Sequence, residues 1–183
     1  MQLTDKVIAI TGAGQGLGRA MAVYLANRGA DIAIIDLNPE QMAETLAQVE
    51  ETGRKGAIFS CNVADEQQVE ETFSAIPRQL GSLDGLINNA GISQLSLLEQ
   101  TTESEIKGII STNTIAPMQL TQALLPILLK QSSAQIINIG STFGSIGFPG
   151  YSTYCASKFG LRGVSQALAR ELADTHVPVK YLS

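Results

Sequence analysis

Histidine occurs once, cysteine twice and tryptophan not at all in this 183-residue sequence. Zinc sites made of several Cys or His ligands cannot be assembled within one chain, and a Ser-His-Asp triad would have to draw on His176 near the end. The separated cysteines, Cys61 and Cys155, make no disulfide framework and suit a reducing compartment. Charge is also sparse: 16% of residues are charged, and 12 basic against 17 acidic residues leave a net −5 with no basic cluster. Nucleic acid and anionic membrane are thereby disfavoured as partners. No run of 18 apolar residues occurs, and Met1 to Lys6 does not begin a secretory signal, so the expectation is a soluble cytoplasmic protein. The length suits a single domain over residues 1–183.

Apolar residues make up 44% of the chain and glycine contributes 17 positions, which is globular rather than disordered composition. Short β-branched runs alternate with helical patterns, the signature of consecutive βαβ units. Strands are expected at Val7–Ile10, Ile32–Ile35, 57–61, 83–88, Ile136–Ile139 and 177–182. Helix starts are marked by Asn38 with Gln41, Asp65 with Gln68, and Thr102 with Glu105, each read as a capping box. Pro77 should fray the third helix before Gly81, and Pro117 and Pro126 should kink or shorten a helix within 103–130. A last helix is expected over 152–174. Right-handed crossovers then favour a doubly wound parallel α/β sheet in the order 3-2-1-4-5-6, with its ligand crevice between strands one and four at their carboxyl ends.

The chemistry-bearing residues fall on those ends. Thr11-Gly12-Ala13-Gly14-Gln15-Gly16-Leu17-Gly18 follows the first strand and opens a helix, where free N–H groups and the helix dipole favour a pyrophosphate. Its spacing departs from G-x-G-x-x-G, and no G-x-x-x-x-G-K-[ST] is present, so a nucleoside triphosphatase is disfavoured. Asp36 ends the second strand 18 positions after Gly18, where an acid can meet ribose hydroxyls and repel a 2′-phosphate. No Arg or Lys lies within 12–18 or 36–41, which favours NAD over NADP. Tyr154 and Lys158 stand at i and i+4 on the last helix, so an ammonium can favour the phenolate beside it. Phe143, Phe148 and Tyr151 are candidate substrate contacts, with packing an equal alternative.

Thr11 to Gly18, Asn88-Asn89-Ala90-Gly91, Asn113, Ser141 and Tyr154-Cys155-Ala156-Ser157-Lys158, in this order, resemble the short-chain dehydrogenase/reductase family along the whole chain. The resemblance implies an oxidoreductase acting on a small alcohol or carbonyl substrate, 3-oxoacyl thioesters included, with Tyr154 as general acid or base. Lys158 would favour ionisation of Tyr154 and hold the nicotinamide ribose, Ser141 would hydrogen-bond the reacting oxygen, and Asn113 would hold a water linking Lys158 to solvent. Gly12, Gln15, Gly16, Leu17, Gly18, Asp36, Asn62, Val63, Asn89, Ala90 and Gly91, with Tyr154 and Lys158, would surround the NAD.

Two departures matter. Asn62 stands where the family often has an Asp beside adenine, and an amide can still donate or accept there. Family members also continue past the sixth strand with a substrate lid, a helix and a seventh strand, which are expected to be lacking here. An uncovered sixth strand would seek a partner copy, which implies a homo-oligomer. The rival reading is a non-catalytic or weakly active NAD-binding protein with an incomplete substrate pocket.

Overall fold

The computed structural model describes residues 2–183. Strands β1 (Val7–Thr11), β2 (Asp31–Asp36), β3 (Gly56–Ser60), β4 (Gly85–Asn88), β5 (Gln135–Ile139) and β6 (Val179–Leu182) form a sheet ordered β3-β2-β1-β4-β5-β6. Every neighbouring pair is parallel. Helices α1 (Gly16–Ala26), α2 (Pro39–Glu50), α3 (Glu66–Leu80), α4 (Glu103–Ile110), α5 (Ala116–Leu128) and α6 (Ser152–Glu171) connect them. Among the described residues, no helix is long and apolar enough to cross a membrane.

Strand alternation divides the core into two layers. Ile8, Ile10, Ile32 and Ile34 face Ala22 and Ala26 of α1 and Met42 and Val49 of α2. Val7, Ala9, Ala33, Ile35, Leu86 and Ile136 face Phe73 and Ile76 of α3 and Leu120, Leu124 and Leu128 of α5. Each fully buried isoleucine stabilises the sheet by about 1.5–3 kcal/mol. Because β1 and β2 are buried on both faces, they read as continuous apolar runs.

The helix caps differ in detail from expectation. Only Thr102 and Glu105 form a reciprocal capping box. Asn38 accepts the Gln41 N–H, but the Gln41 side chain reaches Gln15 in the glycine turn, at 3.2 Å. Asp65 accepts the Gln68 N–H, while the Gln68 side-chain Oε1 accepts from the Asn62 N–H. Pro77 does not fray α3: the helix continues to Leu80 and stops at Gly81 with φ +89°. One lost backbone bond is outweighed there by burial of Val69, Phe73 and Ile76.

The helical stretch expected within 103–130 is interrupted as its prolines suggest. Ser111–Ile115 forms a π turn between α4 and α5. Pro117 has no N–H to offer the Asn113 carbonyl four residues earlier, and its ring crowds that carbonyl, so the turn widens. The sixth strand begins at Val179, after Pro178, whose carbonyl accepts the Ile136 N–H at 3.1 Å and which has no N–H of its own to give the ladder. The last helix stops at Glu171, three residues before the expected end at Asp174.

Candidate active site

Crossing from β1 to α1, the chain needs left-handed backbone at Gly12 (φ +65°) and Gly16 (φ +53°). The first of these glycines also permits close approach, since a Cβ at Gly12 would lie 2.9 Å from Ala90 Cα. A Cβ at Gly18 would run into the Gly12 carbonyl and the Asn89 amide. Around Gly16, by contrast, the space is open. The turn is thus closed behind and open in front.

A crevice of ≈ 590 Å³ lies before it, lined by Gly12, Gln15, Gly16, Leu17, Gly18, Asp36, Asn62, Val63, Asn89, Ala90 and Gly91. These are all the residues that the resemblance assigned to the cofactor, Tyr154 and Lys158 excepted. Ile92 and Thr112 also line it and escaped the sequence reading. Ile92 is a half-exposed side chain with no local signal, and Thr112 enters only because the π turn presents it.

Hydrogen bonds sew the crevice across β1 and β4. The Thr11 hydroxyl accepts the Asn89 and Ala90 N–H groups, each at 3.0 Å. Asn89 Nδ2 donates to the Thr11 and Gly12 carbonyls at 3.0 Å. At the far rim, Asp36 Oδ2 accepts the Gly14 N–H at 2.8 Å and Oδ1 accepts the Leu37 N–H at 2.7 Å. Arg19 is turned away, donating to the Gly14 and Gln41 carbonyls and pairing with Glu44 at 2.9 Å.

Beyond Gly91 lies the polar cluster around α6. Asn113 is fully buried in the π turn. Its Oδ1 accepts the Ile92 N–H at 2.9 Å, and its Nδ2 donates to the Ile92 carbonyl and the Ser157 hydroxyl. The Asn113 side chain therefore fastens the β4 loop to α6. Lys158 is buried, with Nζ donating to the Ile139 carbonyl at 2.9 Å and standing 5.8 Å from the Tyr154 ring centroid. A Cβ on Gly91 would lie 3.7 Å from that same Nζ, which places the ammonium beside the crevice wall. Burial pushes the Lys158 ammonium down from 10.5 to about 8.

Ser141 follows β5, and its Oγ accepts the Phe143 N–H at 3.2 Å. The Phe143 ring stands 6.3 Å from that of Tyr154, so the Ser141 turn and Tyr154 are neighbours. Phe143, Phe148 and Tyr151 pack on one another with centroids 5.0–6.2 Å apart, and Phe148 remains half exposed. Cys155 is buried with its sulfur near the Ile146 carbonyl, and His176 is exposed far along the chain. Tyr181 of β6, which no motif flags, touches the backbone of Ser141.

Comparison with known proteins agrees with this arrangement. The short chain dehydrogenase family model matches residues 6–183. The chain is 37% identical over 182 residues to the 3-oxoacyl-(acyl-carrier-protein) reductase FabG of Staphylococcus aureus (strain Mu50), covering 98% of this chain and 73% of that protein. Among solved structures, an NAD+-bound xylitol dehydrogenase superposes with a TM-score of 0.95 at 28% identity, covering 100% of this chain and 71% of that one. A metagenomic short-chain oxidoreductase in complex with NADP superposes with a TM-score of 0.94 at 27% identity, covering 99% of this chain and 82% of that one. With the glycine turn, the crevice and the Tyr154–Lys158 pair all in place, the chain belongs to the short-chain dehydrogenase family of oxidoreductases.

Proposed function

We propose that this chain interconverts a secondary alcohol and its ketone with NAD(H) as hydride carrier. The observation that carries the reading is the buried Lys158 ammonium beside Tyr154, at the wall of a glycine-floored crevice whose far rim bears Asp36. The crevice fits a dinucleotide because Gly16 leaves open space at the N-terminus of α1, where unpaired N–H groups favour an anion.

Gly12, Gln15, Gly16, Leu17 and Gly18 would hold the pyrophosphate, Asp36 the adenosine ribose, Asn62 and Val63 the adenine, and Asn89 to Gly91 the middle of the dinucleotide. The chemistry such a dinucleotide would supply when bound is hydride transfer to the carbonyl carbon, at the expense of its own oxidation. Tyr154 gives its phenolic proton to the carbonyl oxygen as the π pair moves there, leaving an alcohol and a phenolate that solvent reprotonates. Lys158, still largely protonated near pH 7 at about 8, stabilises the phenolate and would hold the nicotinamide ribose. Ser141 steadies the reacting oxygen. The same groups run the alcohol oxidation in reverse.

NAD is favoured over NADP because Asp36 presents a carboxylate where a 2′-phosphate would sit. Arg19, the nearest guanidinium, is spent on Gly14, Gln41 and Glu44. The substrate is a ketone or alcohol, and the test panel includes a 3-oxoacyl thioester, the substrate type in the name of the staphylococcal relative.

Fluorescence titration with NADH and NADPH, beside NADH absorbance with a ketone panel, tests the proposal. Tighter NADH binding and turnover of at least one carbonyl are expected. Tight NADH binding with no turnover across the panel would overturn the catalytic reading in favour of a binding protein.

A further inference from the structure

We propose that Tyr181 is a positioning residue for Ser141: a wedge from the outer strand that holds the serine turn at its catalytic place. The proposal rests on the oxidoreductase reading for its kinetic consequence, but its geometry stands independently.

Tyr181 pairs in register with Asn138 on the neighbouring strand, and the Gly140 N–H donates to the Leu182 carbonyl at 2.6 Å. That register places the tyrosine where the chain leaves β5 for Ser141. Its hydroxyl sits at the elbow of the serine backbone, accepting the Ser141 N–H at 3.3 Å and donating to the Ser141 carbonyl at 3.4 Å. The side chain needs two glycines, because a Cβ on Gly140 would run into the ring and one on Gly144 into the hydroxyl. A Cβ on Gly144 would also lie 3.0 Å from the Lys158 carbonyl oxygen, so this glycine is pinched between the Tyr181 hydroxyl and the backbone of α6.

Tyr181, Gly144 and Lys158 therefore form a continuous contact from β6 to α6, with Ser141 seated on it. The residue preceding Gly140, Ile139, presents the carbonyl that accepts from Lys158 Nζ. Two groups placed in the chemistry, Ser141 and Lys158, thus take their reference from one stretch of backbone backed by a single aromatic ring. A small aliphatic side chain at 181 would leave room behind both glycines and no partner for the Ser141 N–H. The Ser141 hydroxyl would then wander by the fraction of an ångström that costs rate, without loss of the fold.

A double-mutant cycle separates positioning from mere stability. Tyr181→Phe removes only the hydroxyl and Tyr181→Ala removes the wedge. In the otherwise wild-type protein, kcat for a carbonyl turned over by the wild type should fall about tenfold with Phe and further with Ala, while NADH affinity stays within about twofold. In a Ser141→Ala background the same substitutions should change the residual kcat by less than about twofold, because the group being positioned is gone. Equal losses in both backgrounds, or full kcat in both single variants, would overturn the proposal.

The second measurement does not depend on turnover. Amide hydrogen exchange in Tyr181→Phe should accelerate at Ser141 by at least about tenfold and leave Gly12 to Gly18 unchanged. Unchanged exchange at Ser141 would contradict the wedge even in a protein that turned over no substrate, whereas faster exchange with no wild-type turnover would retire the oxidoreductase reading alone.

Discussion

Lys158 shows how burial and charge compete in one side chain. Unfolded, its ammonium titrates at the ordinary 10.5; folded, burial brings it to about 8. The folded state therefore releases the proton first, so the desolvation cost is carried in full below about 8 and vanishes as pH rises toward 10.5. Lys158→Met should be more stable than the wild type near pH 7, by on the order of 3 kcal/mol before the lost bond to Ile139 is counted. Melting curves from pH 7 to pH 10 should show that advantage shrinking, and a constant difference would contradict the account. At the crevice rim, Asp36→Ala should move the NADH-to-NADPH affinity ratio toward NADPH by about tenfold, read by fluorescence titration. An unchanged ratio would assign discrimination to another residue.

Among the elements, the junction of β1 and β4 holds a buried carboxylate. Buried Asp84 accepts from Lys6 Nζ at 2.7 Å, from the Val7 N–H at 3.0 Å and from the Ser82 hydroxyl at 2.8 Å. Burial alone would raise its carboxyl, but the Lys6 ammonium and the two further donors outweigh it and hold the group below the usual carboxylate range. Its stabilisation is thus present above the unfolded value and is lost as pH falls through the folded one. Asp84→Asn should cost roughly 2–3 kcal/mol at pH 7, with the deficit closing in acid, as denaturant titration at both pH values would reveal. Equal deficits at pH 7 and in acid would count against a charged Asp84.

Element positions were mostly legible because helix and strand periods differ along the chain, and Asn38, Asp65 and Thr102 do cap their helices. The π turn was only half legible. Pro117 marks where α-helical bonding must fail, yet a kink, an end and a widened turn all satisfy that requirement, and buried Asn113 with its bonds to Ile92 and Ser157 selects the last. The second partner of Gln41 was hidden for a similar reason, since a side chain that completes a cap equally well reaches a loop that folding brings near.

At the scale of the molecule, the strand order was readable because right-handed crossovers leave few ways to wind alternating strands and helices. That order carries the ends of β1, β4 and β5 to one side of the sheet, so motifs spread from Gly12 to Lys158 converge without any local sequence signal of their proximity. What the letters withheld was occupancy: Lys158 bonded to Ile139, Asn113 spent on the β4 loop, and Tyr181 reaching Ser141 across 40 positions. Those pairings depend on distances that exist only after the sheet has formed.

The proposed transfer of a hydride and a proton onto a carbonyl, by the crevice and Tyr154 together, can be followed by incubating the protein with NADH deuterated at the transferred position and a ketone panel, and locating the label by mass spectrometry and NMR. Deuterium should appear on the carbinol carbon with the wild type, and Tyr154→Phe should slow its appearance by about a hundredfold or more while NADH affinity is retained. Label absent from every alcohol with the wild type, or delivered at an equal rate by Tyr154→Phe, would contradict the account.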